Sequence, residues 1–203
     1  MEAQVRSGTQ YIDQVIVEND LERSQVHSSD FIDCKFSNCS WVESEFRNCR
    51  FINCTFHECN LSLLKVPECT FSGVQFISSK IIGVNWAQAD WTKPGLKDPF
   101  QFTNCVLNHS TFIGLNLREV QFRECVAKNV DFRETNLSQA IFSGTDLSES
   151  LFSNTDISGA DLSLACNYSI DPVQNNVKQA RFSLPEAMSL LYSMDIILDE
   201  DVQ

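Results

Sequence analysis

The sequence has little of several features that mark common functional classes. Only seven of its 203 residues are glycine and five are proline, and there is no glycine-rich loop of the kind that binds phosphate groups. No apolar run approaches the roughly 20 residues of a membrane-spanning helix. The first ten residues, MEAQVRSGTQ, lack the apolar core of a signal peptide. We therefore expect a soluble, cytoplasmic protein without a membrane partner.

Basic side chains are also scarce. The chain has 15 Lys and Arg against 27 Asp and Glu, which gives a formal net charge of −12. Proteins that bind nucleic acid directly need a surplus of positive charge, so the composition argues against that activity. It is compatible with binding a protein that itself binds nucleic acid. Residues 1–100 have 13 acids and 9 bases, whereas residues 101–203 have 14 acids and 6 bases, so the C-terminal half is the more acidic.

No combination of residues suggests catalysis. The three histidines, His27, His57 and His109, lie outside any recognisable motif. The carboxylates are numerous, but they are spread along the chain as a solvated surface would be. We therefore predict that the protein is not an enzyme and that it uses no cofactor.

The nine cysteines include no close pair. Structural zinc sites use C-x₂₋₄-C pairs, because one turn must deliver two ligands to the ion. Here the first five cysteines are separated by five or ten residues: Cys34, Cys39, Cys49, Cys54 and Cys59. We predict no metal site and interpret the spacing as part of a repeat.

Large apolar residues recur at every fifth position from Ile16 to Trp91, and again from Phe102 to Leu162. Two positions before each of these centres the residue is usually small, and eight of the nine cysteines occupy that position. A period of five fits neither an amphipathic helix nor a strand. Sustained over about 150 residues, it indicates a stacked repeat with a regular inside and outside.

Segments such as ADLSL and TDLSE resemble the A-(D/N)-L-x-x motif of the pentapeptide-repeat family, over residues 14–166. The resemblance implies an all-β fold, a right-handed quadrilateral parallel β-helix, in which twenty residues make one coil. Cys34 would then lie over Cys54, Cys39 over Cys59, Cys49 over Cys69, and Cys105 over Cys125. Coil spacing would admit disulfides, but a reducing compartment and parallel side chains favour buried free thiols.

The same register predicts three phenylalanine columns: Phe36, Phe56 and Phe76; Phe102, Phe122 and Phe142; and Phe112, Phe132 and Phe152. It divides the chain into an N-terminal lead-in at residues 1–13, the β-helix at 14–166 and a tail at 167–203. The repeat slips by one residue within 92–101, where we expect a protruding loop. That loop either has a function or merely accommodates an insertion; its residues are Lys93, Pro94, Gly95, Leu96, Lys97 and Asp98.

The tail contains a capping-box sequence, Ser183 to Glu186, and predicts a short C-terminal α-helix that ends near Met194. Its apolar stripe could cap the rod, form a dimer interface, or both. ARFSLPEAMSLL resembles the tail of pentapeptide-repeat proteins that confer resistance to quinolones, albicidin and microcin, and the resemblance implies an end-to-end homodimer. The predicted interface residues are Ala187, Leu190, Leu191, Met194, Ile196 and Ile197.

This resemblance also implies a function, which is to protect DNA gyrase or topoisomerase IV from a topoisomerase poison by mimicking duplex DNA. The acidic surface that would meet the enzyme comprises Asp131, Glu134, Asp146, Glu149, Asp156 and Asp161. The alternative is an interaction or scaffold protein unrelated to topoisomerases.

Overall fold

The structure is a computed structural model that describes residues 5–92, 100–194 and 196. Its described part contains twelve strands of three residues, a 3-10 helix at Trp86–Gln88 and an α-helix, α1, at Met188–Tyr192. The strands are β1 (Gln10–Ile12), β2 (Val15–Val17), β3 (Gln25–His27), β4 (Asp30–Ile32), β5 (Lys35–Ser37), β6 (Glu45–Arg47), β7 (Arg50–Ile52), β8 (Thr55–His57), β9 (Thr70–Ser72), β10 (Gln75–Ile77), β11 (Gln101–Thr103) and β12 (Gln121–Arg123). None of the described helices combines the length and the apolar character needed to cross a membrane.

The strands pair in parallel with partners one coil away, as β1 does with β4 and β2 with β5. They form three sheets, ordered β1-β4-β7-β9, β2-β5-β8-β10-β11-β12 and β3-β6. Isolated parallel bridges extend these ladders and add a fourth, which runs through Ser40, Asn60 and Lys80. Four ladders on a twenty-residue repeat make a four-sided solenoid, so the predicted right-handed parallel β-helix is confirmed.

Aromatic stacks fill the interior of the rod. Six phenylalanines form one continuous column with ring centroids 4.6–5.2 Å apart, namely Phe36, Phe56, Phe76, Phe102, Phe122 and Phe142. The prediction that the two halves of this column are separate is wrong, because Phe76 stacks on Phe102 across the slip. Phe112, Phe132 and Phe152 stack as predicted, at 5.5 and 5.3 Å. Such stacks combine burial with favourable offset ring geometry.

The slip is an enlarged coil. Gln75 pairs with Gln101, and Lys80 pairs with Val106, so this coil takes 26 residues where the others take twenty. Both ends of the inserted segment are fixed to the core. The indole N–H of Trp91 donates to the Trp86 carbonyl at 2.9 Å, and the buried Phe100 ring lies 4.9 Å from the Trp86 ring. The six predicted loop residues lie outside the described residues.

The small inward residues form a second hydrogen-bonded ladder. The Thr145 hydroxyl donates to the Phe122 carbonyl at 3.0 Å and accepts the Cys125 N–H at 3.4 Å. Cys69 makes the same two contacts with the coil below it. A small polar side chain at this position therefore satisfies backbone groups that would otherwise be buried without a partner. The eight cysteines predicted to point inward are all buried, and Cys166 is half-buried.

The β-helix extends past both predicted boundaries. At its start, β1 lies within the predicted lead-in, because Tyr11 stacks on Phe31 with ring centroids 5.0 Å apart. At its end, the ladder resumes after an irregular stretch, where Asp156 pairs with Asn176 and Asp161 pairs with Arg181. The rod therefore continues into the predicted tail.

The tail folds against the last coils, but not as a capping box. Helix α1 begins at Met188 and its first turn has no side-chain cap. The Ser183 hydroxyl instead accepts the Leu164 N–H at 3.1 Å, and the Glu186 carboxylate accepts the Asn167 N–H at 3.2 Å. No further coil accepts these N–H groups among the described residues, and the tail side chains accept them instead.

Candidate partner-binding surfaces

Four of the six predicted acids occupy the outward position just before a buried centre: Asp131, Asp146, Asp156 and Asp161. In each, a carboxylate oxygen accepts the backbone N–H two residues further on, at 2.9–3.1 Å. This Asx turn supports the local backbone. Asn136 makes the same bond at 3.0 Å, so the local geometry explains why this position takes either Asp or Asn.

The register places these four aspartates on four different faces of the rod. Each belongs to its own ladder: Thr111-Asp131-Leu151, Val126-Asp146-Cys166, Asn136-Asp156-Asn176 and Ile141-Asp161-Arg181. They therefore surround the rod and do not line up as a row of phosphates would. The aspartates therefore contribute negative charge on every face and not on one stripe.

Each of these aspartates forms an ion pair with a nearby cation or accepts a hydrogen bond from a nearby amide. The side chains of Asp131, Asp146 and Asp161 are 19%, 22% and 30% exposed, and Asp156 is half-buried. The Asn176 amide donates to Asp156 at 3.0 Å. The ion pairs are Arg133–Asp131 at 2.7 Å, Lys128–Asp146 at 3.0 Å and Arg181–Asp161 at 3.7 Å.

Asp146 is the most strongly bound of the four. Burial alone would raise its pKa, but hydrogen bonds from Ser148, Asn167 and Lys128 outweigh burial and hold the pKa well below its usual value. The hydrogen bond from Ser163 likewise lowers the pKa of Asp161. These carboxylates are therefore structural anions of the coil, and a partner would have to compete with internal donors to reach them.

The other two predicted acids, Glu134 and Glu149, occupy a different kind of position. They lie two residues after a centre, at corners of the coil, with φ of +59° and +57°. Both are exposed. Neither carboxylate makes a hydrogen bond or an ion pair with another residue in the part of the chain that the structure describes. They are consequently open to an approaching partner.

Glu134 and Glu149 belong to a larger set that was not predicted. Eight of the thirteen glutamates in the chain lie at corners with positive φ: Glu18, Glu43, Glu58, Glu68, Glu119, Glu124, Glu134 and Glu149. We call these the corner glutamates. Glycine and asparagine tolerate this backbone region more easily than glutamate does. The signal in the sequence is the recurrence of glutamate two residues after a centre.

The predicted charge asymmetry does not belong to the rod. Residues 5–92 carry 11 acids and 7 bases, and residues 100–194 carry 10 acids and 6 bases, so each half has a net charge of −4. The excess of the C-terminal half comes from four acids after residue 194, namely Asp195, Asp199, Glu200 and Asp201, which lie outside the described residues. The described rod is therefore evenly acidic along its length.

The predicted dimer residues separate into two groups. Ala187, Leu190 and Leu191 are half-buried, and Leu190 packs against the core of the rod. Met194 and Ile196 are exposed, whereas Ile197 lies outside the described residues. Further exposed apolar side chains accompany them at this end: Leu164, Val173, Leu184 and Tyr192. With Met194 and Ile196 they form what we call the apolar end cluster.

The described residues contain no group of three or more His, Cys, Asp or Glu side chains placed to hold a metal ion. The stacked thiols instead donate to main-chain carbonyls, as Cys34 does to Tyr11 and Cys54 does to Phe31. Two open surface depressions among the described residues have volumes of about 320 and 410 Å³, and their linings include Asp156 and the corner glutamate Glu43, respectively. The candidate sites of the protein are thus outer surfaces and rod ends.

Comparison with known proteins supports the fold. A family profile described as "Pentapeptide repeat region" matches residues 29–99 and 96–162. No curated protein is similar in sequence. Two trypsin-treated variants of QnrB1, a plasmid-mediated fluoroquinolone resistance protein, are similar in structure, each with a TM-score of 0.62 and 16% identity. The alignments cover 95% and 97% of this chain and all of the QnrB1 chains.

Proposed function

This chain belongs to the pentapeptide-repeat family, and from that premise we propose that it binds DNA gyrase or topoisomerase IV and protects the enzyme from a topoisomerase poison by mimicking duplex DNA. It would do so as a binding protein and not as a catalyst. The single observation that carries the proposal is an evenly acidic rod of stacked coils with the dimensions of a short duplex. The fluoroquinolone resistance described for QnrB1 is consistent with it.

The length of the rod can be set against DNA. The ladder through β2 and β12 has nine rungs, from Val15 to Arg181, which at a strand spacing of about 4.8 Å span about 38 Å. Two rods joined end to end would span about 77 Å, or about 22 base pairs at about 3.4 Å each. A basic DNA-binding groove of that length could accommodate the dimer.

The corner glutamates are the acids best placed to present negative charge. In four of them, Glu18, Glu124, Glu134 and Glu149, the carboxylate has no hydrogen-bonded or ion-paired partner among the described residues. The face aspartates are held by their own coil and by neighbouring cations. Long-range attraction to a basic groove depends on charge that is not already neutralised. We therefore assign recognition mainly to the corners and less to the faces.

The apolar end cluster supplies a surface for the proposed homodimer. Leu184 is 76% exposed and Tyr192 is 56% exposed. Exposed apolar side chains concentrated in one place mark interaction sites in soluble proteins. Half-buried Leu190 would meanwhile keep the last coil covered. In this proposal the capping role and the dimer role of the tail would fall on different residues.

The decisive experiment is a gyrase supercoiling assay with a quinolone or a peptide toxin. We expect purified protein to restore supercoiling in the presence of the poison, at concentrations that do not inhibit the enzyme strongly by themselves. Bovine serum albumin with the same total charge per assay serves as the protein control. If supercoiling by gyrase and decatenation by topoisomerase IV both stay poisoned, the scaffold alternative replaces this proposal.

A further inference from the structure

The two ends of the rod are finished differently. At the C-terminal end, Phe182 and Leu190 pack against the core, and the Ser193 hydroxyl donates to the Ile170 carbonyl at 3.1 Å. At the N-terminal end, β1, β2 and β3 are each the outermost strand of their sheet. No helix covers these strands in the described part of the chain. Open strand edges can pair with another chain, and proteins commonly protect them.

The backbone of β2 is directed at that open edge. In its ladder the N–H of each outward residue donates to a carbonyl of the preceding coil, as Lys35 does to Gln14 at 2.8 Å and Thr55 does to Cys34 at 3.0 Å. The same bond recurs at every later rung up to Arg181. Val15 is the first rung among the described residues, and its N–H has no acceptor there, so this N–H is available to an added strand.

Strand β1 is protected at its edge, but β2 is not. The Gln14 side-chain amide donates to the Ile12 carbonyl at 2.9 Å, which occupies an acceptor at the end of β1. No side chain in the described residues does this for Val15 or Val17. These two valines are 63% and 40% exposed, whereas the residues stacked above them are the polar Lys35 and Ser37. Exposed apolar side chains on an open edge are the features that favour strand addition.

Charge defines the kind of partner. Asp13 and Glu18 are exposed at the corners immediately before and after β2, with φ of +52° and +51°. Asp20 and Glu22 are exposed on the next face, and Arg23 is already paired with Glu43 at 3.0 Å. We propose that the open edge of β2 accepts an extended segment of a partner protein as an additional strand. That segment has apolar residues at its centre and Lys or Arg on both sides.

A second copy of the protein is a poorer occupant. Residues 5–24 contain four acids and two bases, so two such ends would meet with a net charge of −2 each. Like charges placed opposite one another on paired strands destabilise the pairing. A basic segment would instead place positive charge beside Asp13 and Glu18, so the charge pattern favours a different chain.

The test uses a synthetic probe, acetyl-KKVTVKK-amide, with acetyl-EEVTVEE-amide as its matched control. Binding is followed by NMR titration of the isotope-labelled full chain, and strand addition by hydrogen exchange at the Val15 amide. We expect the basic peptide to slow Val15 exchange and the acidic peptide to have no effect. Light scattering with and without peptide checks that the peptide does not change the oligomeric state of the protein.

Variants distinguish strand addition from simple adsorption. Val15→Pro removes the edge N–H, and we expect it to weaken binding by about tenfold or more. Val15→Ser keeps the N–H and removes the apolar contact, so it provides an independent readout if the proline variant unfolds. Glu18→Gln should weaken binding by about two- to fivefold, whereas Glu124→Gln, at the equivalent corner further along the rod, should have no effect.

Several results would overturn the proposal. These are the absence of binding at millimolar peptide, unchanged affinity in Val15→Ser or in a folded Val15→Pro variant, and binding without slower Val15 exchange. Equal binding of the acidic peptide would do the same, and so would edge-to-edge dimerisation of the protein itself.

Discussion

Residues that point into the rod and residues that point outward have different roles. An inward Cys, Ser or Thr side chain is small enough to fit beside the large centres and polar enough to satisfy main-chain groups of the preceding coil. The thiol of Cys59, for example, donates to the Phe36 carbonyl at 3.6 Å. Outward, Asp and Asn support the backbone through Asx turns, and glutamates occupy corners. A five-residue unit can therefore vary its outer surface while its interior stays nearly constant.

The thiols should be protected by the fold. Burial raises the pKa of Cys54 to about 12, and a thiol reacts only as its thiolate. We expect Cys166, which is half-buried, to react first with a chromogenic disulfide reagent at pH 8, and the eight inward thiols to react only on unfolding. All nine should react in denaturant without reductant. A lower count there would mean that stacked cysteines form disulfides.

Asp146 should make stability depend on acid pH. Its folded-state pKa lies below the unfolded value of about 3.9, so its contribution is fully present above that value and is lost as pH falls through the folded-state pKa. Asp146→Asn keeps an acceptor for the Ser148 N–H, as Asn136 shows for Ser138, but cannot ionise. We therefore expect a weaker loss of stability between pH 5 and pH 3 than in the parent. Urea unfolding of both proteins at several pH values measures this loss of stability.

Asp146→Ala separates the acceptor from the charge. It leaves the Ser148 N–H without its partner, so the free energy of unfolding should fall by about 1 kcal/mol more than in Asp146→Asn at pH 7. Glu149→Gln, which changes an exposed and unpaired acid nearby, is the control and should stay within about 0.5 kcal/mol of the parent. If the Asn variant unfolds in acid as the parent does, Asp146 is not the group responsible.

Among the elements, the coils were far more predictable than the ends. The five-residue period alone located inward residues such as Phe36 and Cys54, because every coil repeats one geometry. The end coils depart from it. Gln14 replaces the usual small inward residue after β1 and is exposed, and an irregular stretch follows Cys166. Ser183 and Glu186 have the sequence of a capping box, yet they bind the last coil, because its unpaired N–H groups lie within their reach. Sequence spacing does not show that the N–H groups of the last coil compete with the helix for these two side chains.

Substitutions in the tail should have little effect on rod stability where the side chain is exposed, and a large effect where it packs against the core. Tyr192→Asp alters an exposed member of the apolar end cluster, so we expect rod stability within about 0.5 kcal/mol of the parent but loss of the dimer. Leu190→Asp places a charge against the core and should lower the free energy of unfolding by several kcal/mol. Light scattering and thermal unfolding report the two effects. A stable dimer in Tyr192→Asp would exclude this cluster as the interface.

At the scale of the whole molecule, charge and shape come from different parts of the repeat. Stacked centres set the length of the rod, while corners and faces determine its field. A non-glycine residue in the left-handed region costs about 1 kcal/mol, and the chain accepts that cost at eight glutamates. Asparagine fits the same corners, as Asn104, Asn129 and Asn154 show. The presence of glutamate at corners that asparagine can also occupy therefore favours a role for its charge outside the fold.

Two sets of variants with the same change in net charge should therefore differ in how much they weaken binding to gyrase. The corner set replaces Glu124, Glu134 and Glu149 with Gln, and the face set replaces Asp131, Asp156 and Asp161 with Asn. Both should fold, since Gln keeps the corner geometry and Asn keeps the Asx turns. We expect the corner set to weaken binding to gyrase more than the face set does, because internal cations and amides already screen the face aspartates.

Binding and protection should be measured at two salt concentrations, because the Debye length falls from about 10 Å at 0.1 M to about 3 Å at 1 M. The parent should lose affinity steeply as salt rises, and the corner set should lose less because it has less long-range attraction left to screen. Equal effects of both sets would mean that only the net charge matters. If neither set changes binding or protection at either salt concentration, mimicry by charge is wrong, and recognition must depend on the shape of the rod or on residues 93–98.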